Sequence, residues 1–179
     1  TTVAHTIEAM EYARLNGAKI VNASYADREF SQAEKDMIAQ LNSDGILFVA
    51  AAGNEGVDSD QTPSYPAGYH LPNIIAVAAS NENEGLASFS NFGRVSVHVA
   101  APGDGVVSTY LNDEYASSSG TSMAAPHVSG LAALVWSSNP GLSAAQVKGR
   151  ILDGVDRMAN LEGFIFTAGG INANNSVRN

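Results

Sequence analysis

The sequence contains no cysteine, which excludes disulfide bonds, thiolate catalysis and zinc sites with thiolate ligands. Basic residues are also scarce, with nine lysines and arginines against 18 acidic residues. The formal charge of −9 would repel phosphate groups, so neither nucleic acid nor an anionic lipid surface is an expected partner. The longest apolar runs, residues 46–52 and 74–79, fall far short of the roughly 20 residues of a membrane-spanning helix.

The rest of the composition is that of a packed globular domain. Hydrophobic residues make up 45% of the 179 residues, which is enough for one sizeable core. The first ten residues lack a basic stretch followed by an apolar one, so we do not expect them to be a signal peptide.

Helix and strand patterns alternate along the first 52 residues. Apolar residues at helical spacing predict a helix over residues 3–14, and a capping box of Ser31 and Glu34 predicts the start of a second helix. Residues 20–23 have the pattern of a strand. Residues 46–51 are apolar on both faces, as in a parallel strand that helices cover on each side. This order predicts a βαβ crossover.

The second half of the chain continues the alternation. Further strands are predicted over residues 74–79, 95–101 and 106–109. The apolar segment 123–136 predicts a buried helix, and a capping box of Ser143 and Gln146 predicts the next one. The expected fold is α/β, with three layers and a mostly parallel β-sheet flanked by helices. The loop over residues 53–72 follows a buried strand, at the sheet edge where such folds bind ligands.

Ser122 stands at the amino end of the predicted buried helix, directly after Gly120 and Thr121. Unpaired backbone N–H groups and the helix dipole at that end favour developing negative charge. Taken alone, Ser122 or Thr121 would be interpreted as an N-cap residue.

Four short motifs in a fixed order favour a different interpretation. They are AAGNEG at residues 51–56, SFSNFG at 88–93, APG at 101–103 and GTSMAAPHVSG at 120–130. In sequence and order they resemble the motifs of the subtilisin-like serine peptidases, or subtilases. The resemblance extends from about residue 7 to about residue 177. It implies a subtilisin-like fold and hydrolysis of peptide bonds through an acyl-enzyme.

The resemblance also implies roles for two residues. Ser122 would be the nucleophile that attacks the peptide carbonyl. Its own backbone N–H and the side-chain amide of Asn54 would form the oxyanion hole. Without the resemblance, Asn54 would be a turn residue between Gly53 and Gly56.

The sequence lacks the family motifs that carry the aspartate and histidine of the catalytic triad. Its four histidines are His5, His70, His98 and His127. None has the glycine-rich context that would present a general base, and His127 lies about 7.5 Å along the helix from Ser122. Residues 1–179 would therefore be the carboxyl-terminal portion of one subtilase catalytic domain. The fold would be incomplete without an amino-terminal segment that supplies both residues, and we expect an unfilled flank beside Val49.

Two segments are expected to bind the substrate. Ser24, Tyr25 and Ala26 fall where subtilases have an edge strand that pairs with the substrate backbone. Ala51, Ala52 and Gly53 would line the opposite wall of the pocket for the residue before the scissile bond. Because Tyr25 and Ala26 replace a leucine and a glycine, we expect a narrower entrance.

No cofactor is expected for the chemistry, and no metal site is predicted. Many subtilases carry structural Ca²⁺, and one weak cation site of the family uses backbone carbonyls around the segment matching residues 65–74 together with an aspartate. This sequence has His98 at the position of that aspartate, and an imidazole is a poor ligand for a cation that prefers oxygen. Structural Ca²⁺ is therefore not supported there. The acidic cluster of Glu55, Asp58 and Asp60 could bind an ion weakly, but a solvated loop is the favoured interpretation.

The leading hypothesis is an extracellular or cell-envelope serine endopeptidase that acts on peptides or proteins, with an inhibitory propeptide as a further candidate partner. Two alternatives stay open, a subtilase-type transpeptidase or macrocyclase and a non-catalytic subtilase-like binding module. An amino-terminal nucleophile hydrolase that uses Thr1 is disfavoured, because a helix and not a strand is predicted to follow that residue.

Overall fold

The computed structural model describes residues 2–178, which form a β-sheet with helices on both faces. The helices are α1 (Val3–Leu15), α2 (Gln32–Ser43), α3 (Thr121–Ser138), α4 (Ala144–Asp153) and α5 (Ala173–Arg178). The strands are β1 (Ile20–Ala23), β2 (Leu47–Ala51), β3 (Ile74–Ser80), β4 (Val99–Pro102), β5 (Val106–Thr109), β6 (Tyr115–Ser118), β7 (Asp156–Arg157) and β8 (Gly169–Gly170). Thr1, the nucleophile of the disfavoured hypothesis, lies outside the described residues. Within those residues, no helix has both the length and the apolar character needed to cross a membrane.

The main sheet has the strand order β1-β2-β3-β4-β8-β7, and among its described strands only β7 and β8 are antiparallel neighbours. Successive side chains of β2 enter different cores, because a strand points them to opposite faces. Val49 packs with residues of α3 and α4, whereas Phe48 packs with residues of α1 and α2. β5 and β6 form a separate antiparallel ribbon. The predicted three-layer α/β fold is therefore confirmed.

The strand predicted over residues 95–101 is shorter than expected, since β4 begins at Val99. The Asp60 carboxylate accepts hydrogen bonds from the backbone N–H groups of Val95 and Ser96, at 3.1 and 2.8 Å. These bonds hold the chain in a turn where the sequence pattern predicts a strand. Burial alone would raise the pKa of Asp60, but hydrogen bonds from the turn lower that pKa below its usual range. Asp60 is a structural acid, and the expectation that it is simply solvated is wrong.

Only one of the two predicted capping boxes is complete. Ser31 accepts the backbone N–H of Glu34 at 3.3 Å, as expected. The Glu34 carboxylate, however, turns into the core, where it is 4% exposed and accepts hydrogen bonds from the hydroxyls of Tyr25 and Tyr69. The box at the start of α4 has both of its reciprocal bonds.

The expectation of an unfilled flank beside Val49 is wrong. β1 pairs in parallel with β2 on that side, with Asn22 opposite Val49, and Val49 is fully buried. Among the described residues, the edge strands of the sheet are β1 and β7, and the edge on the Val49 side is that of β1. The open edge therefore lies one strand further out than predicted, and Ser24 directly follows it.

α3 begins at Thr121, two residues before the predicted start, and it is buried on one side only. Residues such as Val128 and Val135 pack against the sheet. Its outer side exposes a mostly apolar row of residues, here named the α3 stripe, formed by Pro126, His127, Gly130, Ala133 and Leu134. The stripe starts one helical turn after Ser122.

Candidate active site

The first turn of α3 places Ser122 at the mouth of the helix. Gly120 is the N-cap residue, with φ 155°, a conformation that side-chain-bearing residues rarely adopt. Its N–H donates to the carbonyl of Gly103, at 2.7 Å, which joins two of the sequence motifs. Ser122 is the second residue of the helix and is not the N-cap, so its half-buried hydroxyl is available for another partner.

Ser24 and Ser122 are joined by two reciprocal hydrogen bonds. The Ser122 hydroxyl donates to the Ser24 carbonyl, and the Ser24 hydroxyl donates to the Ser122 carbonyl, each at 2.9 Å. The Ser122 carbonyl is open to this bond because Pro126, four residues later, has no N–H to offer it. The sequence thus brings the end of β1 and the start of α3 together at the hydroxyl of Ser122.

The side-chain amide of Asn54 is oriented by Thr121. Its Oδ1 accepts hydrogen bonds from the Thr121 backbone N–H at 2.8 Å and from the Thr121 hydroxyl at 2.9 Å. Because an N–H can only donate, the atom that faces it is the amide oxygen, and the NH₂ group points away. Thr121 is fully buried and its hydroxyl also accepts the N–H of Gly53, at 3.2 Å, which fixes it in place.

Two N–H donors lie beside the same small space at Gly120. Asn54 Nδ2 and the backbone nitrogen of Ser122 lie 3.5 and 3.7 Å from the point that a Cβ on residue 120 would occupy. No described residue accepts the Ser122 N–H, whereas the Met123 N–H donates to the Gly120 carbonyl at 3.0 Å. A helix mouth with two convergent donors next to a hydroxyl can stabilise an oxygen that becomes negative.

A buried asparagine holds the loop that carries Asn54. The side-chain oxygen of Asn91 accepts the backbone N–H groups of Glu55 and Val57, at 3.0 and 3.2 Å. Its NH₂ group donates to the Ala52 carbonyl and to the Glu55 carboxylate, at 3.1 and 2.7 Å. The sequence places Asn91 within the SFSNFG motif but does not indicate this role, and it does not single out Thr121 either. The sequence carries no local signal for Asn91, because the backbone groups it bonds lie 34 to 39 residues earlier in the chain.

None of the described histidines forms a hydrogen bond with Ser122. His127 bonds through Nδ1 to the Met123 carbonyl of its own helix, at 2.9 Å. His98 accepts the Ala76 N–H, and burial lowers its pKa to about 3, so it is neutral. His5 and His70 are exposed on other elements.

The predicted substrate-binding residues lie in two different environments. Ser24 and Ala26 are exposed after the end of β1, whereas Tyr25 turns inward and donates to Glu34 at 2.8 Å. A cavity of 380 Å³ borders Tyr25 and Ala26, and another of 350 Å³ borders Ser122. The residues of the opposite wall, Ala51, Ala52 and Gly53, are buried. Within the described part of the chain, no group of three or more metal-ligating side chains occurs.

Comparisons with known proteins agree with the motifs. Residues 1–170 match the family described as the Subtilase family. Subtilisin DY of Bacillus licheniformis is 43% identical over 151 residues, which cover 84% of this chain and 54% of that protein. M-protease of Shouchella clausii is 37% identical over 177 residues, which cover 99% of this chain and 44% of that protein.

The fold agrees as well. The solved structure of the prenylagaramide maturation protease PagA superposes with a TM-score of 0.86 at 26% identity, covering 99% of this chain and 67% of that one. The chain spans about half the length of the two curated relatives.

Proposed function

Because the chain belongs to the subtilase family, we propose that it is the carboxyl-terminal portion of a serine endopeptidase catalytic domain with Ser122 as its nucleophile. One observation carries the proposal. A serine hydroxyl, its own unpaired N–H and an amide NH₂ group oriented by Thr121 meet at the mouth of α3.

The proposed chemistry follows from these groups. The Ser122 hydroxyl attacks the peptide carbonyl, and the negative charge that develops on the carbonyl oxygen is stabilised by Asn54 Nδ2 and the Ser122 N–H. The intermediate collapses to an acyl-enzyme as the amine leaves, and water then releases the acid. A hydroxyl needs a base for this attack, and we assign that base to a histidine, paired with an aspartate, in the amino-terminal part of the domain.

Two surfaces next to Ser122 support the assignment of a missing segment. The edge of β1 presents unpaired backbone groups, which native sheets normally cover or pair. The α3 stripe exposes apolar area on the same helix as the nucleophile, including Leu134, which is 46% exposed. Gly130 within the stripe has room for a close neighbour, because no atom lies within 4 Å of its Cβ position. The amino-terminal segment is therefore the proposed occupant of both surfaces.

The exposed backbone at Ser24 and Ala26 is proposed to pair with the substrate chain. Ser24 already contacts Ser122, so an extended peptide along this segment would pass the nucleophile. The buried position of Ala51 and Ala52 means that only the backbone of that wall would face the substrate. In line with the family, we place the enzyme outside the cytoplasm and under the control of an inhibitory propeptide.

A transpeptidase or macrocyclase is the second candidate, because an amine can replace water in releasing the same acyl-enzyme. The transpeptidase or macrocyclase stays a candidate because this chain is similar to a structure named as a maturation protease. A non-catalytic binding module is less consistent with the structure, because the two donors at Gly120 would then stabilise no charge.

Product analysis separates these candidates. The full-length protein is incubated with a peptide substrate and an added amine, and the products are identified by mass spectrometry, with Ser122→Ala as the control. Free acids as the main products support the endopeptidase. Mainly amide-linked or cyclic products support the second candidate, and no turnover beyond that of the control supports the binding module.

A further inference from the structure

Lys148 on α4 is bonded to two backbone carbonyls at the start of β3. Its ammonium donates to the Ile74 carbonyl at 2.6 Å and to the Pro72 carbonyl at 3.1 Å. The side chain crosses from the helix to the sheet to make these contacts and is half-buried. An ammonium has only donors to offer, so two carbonyl oxygens within hydrogen-bond distance are suitable partners for it.

The carbonyl of Ile74 is available because the neighbouring strand starts late. Carbonyls two residues apart on a strand point to the same side, and the Ala76 carbonyl accepts the N–H of His98 at 2.9 Å. If the neighbouring strand began two residues earlier, the N–H of Ser96 would donate to the Ile74 carbonyl. That N–H instead donates to Asp60. The turn held by Asp60 therefore leaves the Ile74 carbonyl without a strand partner, and the ammonium of Lys148 replaces that partner.

The residues at this position do not fit the weak cation site of the family. A metal there would need backbone carbonyls from the segment 65–74, and two carbonyls at its carboxyl end are already bonded to an ammonium. The side chain at the aspartate position, His98, uses Nδ1 to accept the Ala76 N–H and supplies no negative charge. A positive charge this close would also repel a metal ion.

We propose that Lys148 is a built-in cation that takes the place of a bound metal ion at this site and fastens the segment 65–74 to the sheet. The other end of that segment is bonded to the chain just after Ala26, because the backbone groups of Tyr65 and Asp27 exchange hydrogen bonds at 2.7 and 2.8 Å. Lys148 thus anchors a segment that reaches residues next to Ala26. The inference rests on membership of the family and not on the proposed peptidase activity.

Hydrogen exchange tests the inference locally, so that metal bound elsewhere in the full-length protein does not confuse the result. Protection of the amides in residues 65–74 is compared in Ca²⁺ and in a chelator. For the natural sequence we expect equal protection in the two buffers. Lys148→Met should accelerate exchange in this segment at least tenfold, which is about the effect of losing a charged hydrogen bond. The control is Lys19→Met at an exposed position, which should leave exchange in the segment unaltered.

A double variant tests whether a Ca²⁺ site can be created at this position. Replacing His98 by Asp together with Lys148 by Ala removes the ammonium and supplies a carboxylate, so Ca²⁺ should restore protection that the chelator removes. Protection of the natural segment that depends on Ca²⁺ would overturn the inference, and so would a Lys148→Met protein with unchanged exchange. If Lys148→Met does not fold, the comparison of the natural protein in the two buffers still decides whether a metal ion holds the segment 65–74.

Discussion

The side-chain oxygen of Asn54 accepts two hydrogen bonds from Thr121, one from its backbone N–H at 2.8 Å and one from its hydroxyl at 2.9 Å. This pair joins the loop after β2 to the first turn of α3. Since both Thr121 groups donate, the NH₂ group of Asn54 is directed to the space beside Gly120. The position of the proposed oxyanion donor is thus set by the fully buried Thr121.

Replacing Asn54 by Leu should reduce turnover far more than stability. The expected scale is the loss of about 10² to 10³ in kcat known for removal of the oxyanion-hole asparagine of a subtilisin. Asn54 is exposed, so the cost in stability is limited to the two hydrogen bonds that Thr121 loses, about 1–2 kcal/mol in all, and the thermal midpoint should fall by only a few degrees. Steady-state kinetics and thermal unfolding of the full-length protein give the two values. Comparable losses in both would mean that Asn54 is only a turn residue.

Thr121 should behave as a positioning residue for Asn54. Thr121→Val removes the hydroxyl that bonds Asn54 and leaves the buried N–H of Gly53 unpaired, at a cost of about 1–3 kcal/mol in stability. We expect kcat to fall roughly tenfold with little change in KM, because the amide loses one of its two fixing bonds. Thr121→Ser keeps the hydroxyl and should retain most of the kcat. A serine variant as slow as the valine variant would contradict this role.

Pro126→Ala should separate helix stability from activity. The alanine supplies an N–H that competes for the Ser122 carbonyl, so the helix gains a bond and the Ser24 hydroxyl loses its acceptor. The thermal midpoint should rise while kcat falls. Gly149→Ala in α4 is the matched control, because no atom lies within 4 Å of its Cβ position. It should raise the free energy of unfolding by about 0.5–1 kcal/mol without affecting kcat. A Pro126→Ala protein with unchanged kcat would show that the Ser24–Ser122 pair does not matter for the reaction.

Asp60 should contribute to the loss of stability in acid. Its pKa is lowered in the folded state, so its stabilising effect is complete above the unfolded value near 3.9 and is lost as the pH falls through the folded value. Asp60→Asn should lower stability at neutral pH and flatten the pH dependence of the free energy of unfolding below about pH 4. Denaturant unfolding at several pH values measures both effects. Exposed Asp36→Asn is the control, and an equal change in the two variants would contradict the assignment.

The sequence predicts the core of the fold because the pattern there is local. β2 and β3 are apolar on both faces and are entirely buried, and complete capping at the start of α4 follows from neighbouring residues. Ser122 and Asn54 could be singled out because their motifs are contiguous. The details that the sequence does not reveal depend on contacts between distant residues.

Three such contacts changed the interpretation. Asp60 bonds to Ser96, 36 residues later, and shortens β4. Glu34 has the spacing of a capping residue, yet a tyrosine hydroxyl 35 residues away draws its carboxylate into the core. β1 fills the flank of Val49, because a periodic pattern does not show which strand becomes the neighbour.

Covalent labelling by a fluorophosphonate tests the central claim most directly, since the reagent reacts with a serine that a nearby base has activated. Intact mass and peptide mapping would follow the full-length protein, its Ser122→Ala variant and residues 1–179 alone. We predict rapid labelling of Ser122 in the full-length protein and none in the variant or in the isolated chain. Labelling of the isolated chain at a comparable rate, or a label that persists in the variant, would contradict the account.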